Sequence, residues 1–200
     1  GVVDLVYIIY AGYSESISGN DANCLWPKSG TTTFFRYDEY GKKQGILECD
    51  GKNFSRYGIN NELNGKPSDT KNGLYQINGI GLFCHEFSPP LGLPDHYPTQ
   101  LPASTADNQS PEYWDLMDGG EYVMNGFCPT PYTSWEKNLM GWTINIETLS
   151  ASLDVTMRQS TEVGGKAYKI QNSKNALEYF LLENIQNKNW SRYIPGHGLL

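Results

Sequence analysis

His85 and Glu86 stand side by side in Phe83-Cys84-His85-Glu86-Phe87-Ser88-Pro89-Pro90-Leu91-Gly92-Leu93-Pro94-Asp95-His96-Tyr97, and no other stretch of the chain is as well suited to chemistry. On a helix, histidines at i and i+4 lie one turn apart on one face. Two imidazoles then reach one zinc ion, while a glutamate at i+1 takes a proton from metal-bound water. His85 fills position i and Glu86 fills i+1, but Pro89, with no donor atom, stands at i+4. A longer form of the pattern bends the chain at a glycine after the helix and places a third ligand ten residues after the first. Gly92 and Asp95 occupy those two places. The segment is therefore a zinc-site pattern short of one imidazole.

Plainer readings compete at each position. His85 and Glu86 could be an ordinary helical pair with the imidazole hydrogen-bonded in the core. Asp95, after Leu93-Pro94, could be a turn residue using its carboxylate on its own backbone. Cys84 projects about 100° away from His85 around a helix, which makes it a core residue rather than a substitute ligand. His96 reads as a non-ligand, pointing away from Asp95 in an extended segment, and His197 as one in a terminal Gly-rich turn. Two adjacent prolines remove two backbone donors, so the helix is expected to end or kink at about Ser88.

The elements that must position these residues follow from pattern. Val2 to Tyr13 is apolar and β-branched, the signature of a strand buried on both faces. Residues 14–33 read as loop with Leu25-Trp26-Pro27 as an apolar anchor, and residues 58–73 as loop again. Thr31–Tyr37 and Gln44–Cys49 flank a turn and suit a hairpin. Apolar side chains at Ile80, Phe83, Cys84 and Phe87 give the stripe of the helix that carries His85 and Glu86. Residues 98–113 form a long polar loop. Thr133 or Ser134 caps a short helix ahead of Glu136, ending at Gly141. Beyond Asn145 the alternation at Leu153, Val155 and Met157, then Tyr168 and Ile170, then Tyr179 to Ile185, predicts strands of a half-solvated sheet.

Composition narrows the function classes. A net charge of −7 over 200 residues, with no basic run longer than Lys42-Lys43, argues against a nucleic-acid surface. No apolar run approaches the ~20 residues a membrane-spanning helix needs. At 22.5 kDa one domain is the default size reading. Abundant Gly, Tyr, Asn and Ser with only 15 Lys+Arg suits an exported protein. Cys24, Cys49, Cys84 and Cys128 leave three disulfide pairings open. Aromatic residues, 13% of the chain, could line a sugar platform but also fill the core of a loop-rich exported fold.

Gly92-Leu93-Pro94-Asp95 with Tyr97, in this setting, resembles the immune inhibitor A and gametolysin-like family of secreted metallopeptidases. Three further stretches carry the resemblance in the family's order: Tyr113-Trp114-Asp115-Leu116-Met117-Asp118-Gly119-Gly120; Tyr132 to Lys137 with Gly141-Trp142; and Glu178 to Asn184 with Pro195-Gly196-His197-Gly198. The resemblance implies an α+β, metzincin-like zincin domain with a mixed sheet, an active-site helix and a methionine turn, truncated at both ends. Residues 1–144 would be the peptidase core, partial at its N-terminus. Residues 145–200 would be a trailing β-rich portion of the same domain or the start of a following β region.

The resemblance further implies Glu86 as catalytic base, His85 and Asp95 as zinc ligands, and Met117 as the methionine beneath the metal; a methionine taken alone is more often a core filler than part of a special turn. The implied activity is secreted, zinc-dependent endopeptidase chemistry on protein or peptide substrates. Zinc would be held weakly or not at all, since Pro89 removes a ligand. The alternative is an exported binding or scaffold module that has lost zinc.

Overall fold

The computed structural model describes residues 1–70, 73, 75–100, 110–142, 144–161 and 164–200. The chain is mixed α and β, and it divides into two compact units, Gly1–Gly92 and Leu93–Leu200.

In the first unit the strands are β1 (Val2–Val3), β2 (Val6–Tyr10), β3 (Lys28–Thr31), β4 (Phe35–Tyr37), β5 (Lys43–Ile46), β6 (Asn53–Phe54), β7 (Arg56–Asn61) and β8 (Leu63–Asn64). The short helix α1 (Pro67–Thr70), strand β9 (Gln76–Ile77) and helix α2 (Ile80–Leu91) follow. β7 is the middle strand of a three-stranded sheet: β2 pairs with it in parallel, Ile8 opposite Ile59, and β3 pairs antiparallel, Lys28 opposite Ile59. α2 packs on β7 and β3.

Several sequence expectations do not hold in this unit. Residues 58–61 are strand rather than loop, because pairing with β2 along the whole stretch, with β3 at Gly58 and Ile59, and cover from α2 outweigh the low β-propensity of Gly58, Asn60 and Asn61. β3 likewise replaces loop at residues 28–31, and of the Leu25-Trp26-Pro27 anchor only Pro27 is buried. β2 is an edge strand rather than a doubly buried one, with Ile8 51% and Ile9 63% exposed. Its Tyr7 does face the core, with the ring 4.8 Å from that of Phe83 and 5.7 Å from that of Phe87.

Gly58 leaves room for that ring. A Cβ at residue 58 would lie 2.2 Å from the Tyr7 ring, which the two phenylalanines hold. Gly58→Ala is therefore expected to cost about 2 kcal/mol through overpacking, read as a lower urea midpoint. An unchanged midpoint would show that the ring moves freely.

The expected hairpin is present as β4–β5, with Phe35 opposite Ile46. Asp38 builds its turn, accepting from the backbone N–H groups of Tyr40 and Lys42 and from the Gln44 side chain.

α2 does not stop at Ser88. It runs to Leu91 with Pro89 and Pro90 inside it and is capped by Gly92 at φ 104°. Proline's fixed φ is helical, and the N–H groups lost are those that would have bonded the carbonyls of His85 and Glu86. Only Leu91 follows, so the deficit stays in the last turn, which closes by Gly92 N–H donating to the carbonyls of Ser88 and Pro89. The Ser88 hydroxyl donates to the Cys84 carbonyl at 2.6 Å. The buried line of the helix is Gly81, Leu82, His85 and Ser88 rather than the predicted stripe, and Ile80 is exposed.

The second unit holds helical turns at Glu112–Trp114 and Gly119–Gly126, helix α3 (Ser134–Leu139), strands β10 (Ile146–Leu149), β11 (Ala167–Gln171) and β12 (Tyr179–Ile185), a turn at Asn189–Tyr193, and β13 (Gly198–Leu199). The sheet order is β10-β11-β12-β13, parallel for the first pair and antiparallel for the others. The alternating stretch at Leu153–Met157 forms no strand; the Asn184 side chain takes the Met157 carbonyl in place of a ladder. Most of the loop expected at 98–113 falls on residues 101–109, which lie outside the described residues. None of the four cysteines is in a disulfide. Among the described residues no helix is long and apolar enough to cross a membrane.

Candidate functional site

In the first unit, α2 carries His85 and Glu86 side by side. His85 is buried, 4% exposed, and Glu86 is half-buried. The Tyr7 phenol lies close by, bonded to the Asn60 side-chain oxygen. Burial pushes the Tyr7 phenol well above its usual range, and the charge of Glu86 adds to the effect. Pro89 occupies the helical position one turn beyond His85, within the same helix. Burial also raises the Cys84 thiol, although its side chain is half-buried rather than in the core.

In the second unit the chain turns tightly at Leu116–Asp118 and buries Met117 completely, 0% exposed. Asp115 builds this turn: its Oδ1 accepts from Met117 N–H at 2.7 Å, and its carbonyl accepts from Gly120 N–H at 2.8 Å. A Cβ at residue 120 would meet the Asp115 carbonyl oxygen at 2.3 Å, so the turn requires glycine there. The segment holding Asp95 is tied to the turn, because His96 N–H donates to the Met117 carbonyl at 2.9 Å. Asp95 itself is exposed.

α3 supplies the remaining wall. Thr133 caps it with a full capping box: Glu136 N–H donates to Thr133 Oγ1 at 3.2 Å and Thr133 N–H to Glu136 Oε2 at 2.6 Å. Thr133→Ala should lower stability by about 1 kcal/mol, with Thr133→Ser neutral, by urea denaturation. Equal loss in both variants would show that packing rather than the cap is at stake. The Glu183 carboxylate on β12 holds the start of α3, accepting from Ser134 N–H at 3.0 Å, Ser134 Oγ at 2.8 Å and Ser160 Oγ at 2.7 Å.

These elements bring His96, Asp115 and Glu136 together, with one donor atom from each within 4.8 Å of the others. His96 Nδ1 lies 2.8 Å from Asp115 Oδ2, and the His96 ring tilts against Trp135, 5.4 Å between centroids. The bond to Asp115 raises the His96 pKa against the opposing effect of burial. Burial, then the charge of Asp115, push the Glu136 carboxyl up to about 7.

The structure thus places His85 and Glu86 in one unit, Asp95 and Met117 in the other, and assembles a trio of which sequence reasoning had considered only His96, as a non-ligand. Trio members are too far apart in sequence for helical or strand register to link them. Asp115 just before the Met117 turn and Glu136 in the capping box were the only signals, and both have local structural roles.

Against known proteins, residues 1–145 match the family profile described as the immune inhibitor A peptidase M6 catalytic domain. The pre-pro-metalloprotease PrtV of Vibrio cholerae serotype O1 is 29% identical over 160 residues in strain M66-2, and again in strain ATCC 39315 / El Tor Inaba N16961. The match covers 75% of this chain and 16% of each relative, so the chain spans a small part of their length. With the catalytic-domain profile covering residues 1–145, far more than half of its length, the chain belongs to the immune inhibitor A family of M6 metallopeptidases.

Proposed function

We propose that this chain is a metzincin-like domain of a secreted zinc endopeptidase family, directed at protein or peptide, whose hydrolytic site is disabled at position 89. The family implies a metal ion, zinc in the reading favoured here. One observation carries the proposal: Pro89 sits inside α2 where a second imidazole would have to be. A catalytic zinc takes three protein ligands and a water, whereas the motif offers His85 and Asp95 only. The motif residues therefore do not fit a catalytic zinc, and no hydrolytic step is assigned to Glu86 in this chain. Met117 would keep its place as the methionine beneath the former metal site.

The second reading, an exported binding or scaffold module that has lost zinc, is favoured by the same proline. The test is retention on an immobilised peptide hydroxamate, which chelates an accessible peptidase zinc. The intact protein, zinc-loaded, should pass through the column unretained. Retention reversed by a chelator would overturn the proposal.

A further inference from the structure

We propose that His96, Asp115 and Glu136, none of them in the His85-Glu86 metal motif, form a binding site for a divalent transition-metal ion such as zinc. Three donor atoms within 4.8 Å of one another are the geometric basis. Four zinc ligand atoms at bonding distance lie roughly 3.4 Å apart, so the trio needs only a small contraction to grip an ion. One imidazole with two carboxylates suits zinc or a similar ion better than calcium, which prefers oxygen alone.

The independent observation is at Glu136. Its side chain is fully buried, and its Oε1 has no hydrogen-bond partner, while Oε2 is taken by Thr133 N–H. A buried carboxylate oxygen left without a donor is costly, and a cation in the trio would satisfy it. Asp115 is also buried, 6% exposed, so two acidic groups converge out of water on one imidazole.

Each donor is also held from behind, as ligands of a built metal site are. Met117 N–H fixes Asp115 Oδ1. The capping box fixes Glu136. The Trp135 ring and the backbone bond to Met117 fix His96. An ion here would clamp the Met117 turn to α3, a structural role that survives the loss of the catalytic site.

The experiment is calorimetric titration of zinc chloride into the chelator-stripped intact protein, with circular dichroism as a check on folding. The native chain should take one zinc. Glu136→Gln, whose amide oxygen can still accept from Thr133 N–H and keep the capping box, should weaken binding at least about tenfold, as should His96→Gln. His85→Gln should leave affinity unchanged. If His96→Gln fails to fold, Glu136→Gln decides alone. No bound zinc, or binding that ignores Glu136→Gln, would overturn the site. Binding lost in His85→Gln but kept in Glu136→Gln would overturn it too, and would separately count against the disabled-motif reading, which the hydroxamate column tests without reference to the trio.

Discussion

The double replacement Pro89→His with Pro90→Ala is expected to add one zinc per chain and to confer cleavage of denatured casein that disappears when Glu86→Gln is added. The helix already reaches Leu91, so a histidine at 89 would enter an existing turn, one turn beyond His85. The sequence motif would then offer two imidazoles and the Asp95 carboxylate, the three ligands that a catalytic zinc takes. Pro89→His alone should recover less, because Pro90 still lacks the N–H that the Glu86 carbonyl would accept. The rate should rise from background by several powers of ten, the range that metal activation of water and a positioned base provide together. Zinc gained without cleavage would mean that the substrate cleft has eroded as well as the ligand set.

Glu183→Ala is expected to cost the second unit about 3 kcal/mol. It strips the acceptor from three donors, Ser134 N–H, Ser134 Oγ and Ser160 Oγ, in a site where Glu183 is 5% exposed. The carboxylate also sits at the N-terminal end of α3, where negative charge is favoured. Glu183→Gln keeps one acceptor oxygen and should lose roughly half as much. Because α3 carries Glu136, the alanine variant should also weaken zinc binding at the trio. Urea denaturation reads the first effect and calorimetry the second; a midpoint unchanged in Glu183→Ala would remove this carboxylate from the account of how α3 is held.

Much of this was legible in the sequence where local chemistry decides. The Thr133–Glu136 capping box, the β4–β5 hairpin with its Asp38 turn and the helix under His85 all follow from short-range pattern. Family membership followed from ordered motifs spread along the chain. The failures lie where a helix end or tertiary neighbours decide. Pro89 and Pro90 read as helix breakers, yet in a final turn their missing donors cost little and Gly92 closes the end. Gly58, Asn60 and Asn61 read as loop, yet pairing with β2, joined by β3 at Gly58, made them part of a central strand. His96 read as pointing away because its neighbour was the expected ligand, while the groups it meets come from a turn and a helix far along the chain.

Whether Glu86 performs hydrolysis in the chain as it is decides between a disabled and a working site. The direct measurement is zinc-dependent cleavage of denatured casein by the intact native protein beside its Glu86→Gln variant, at equal concentration and saturating zinc. Equal, background-level rates for the two are predicted, because position 89 offers zinc no imidazole. Native cleavage that Glu86→Gln abolishes would contradict the account and require a ligand set in which Pro89 does not matter.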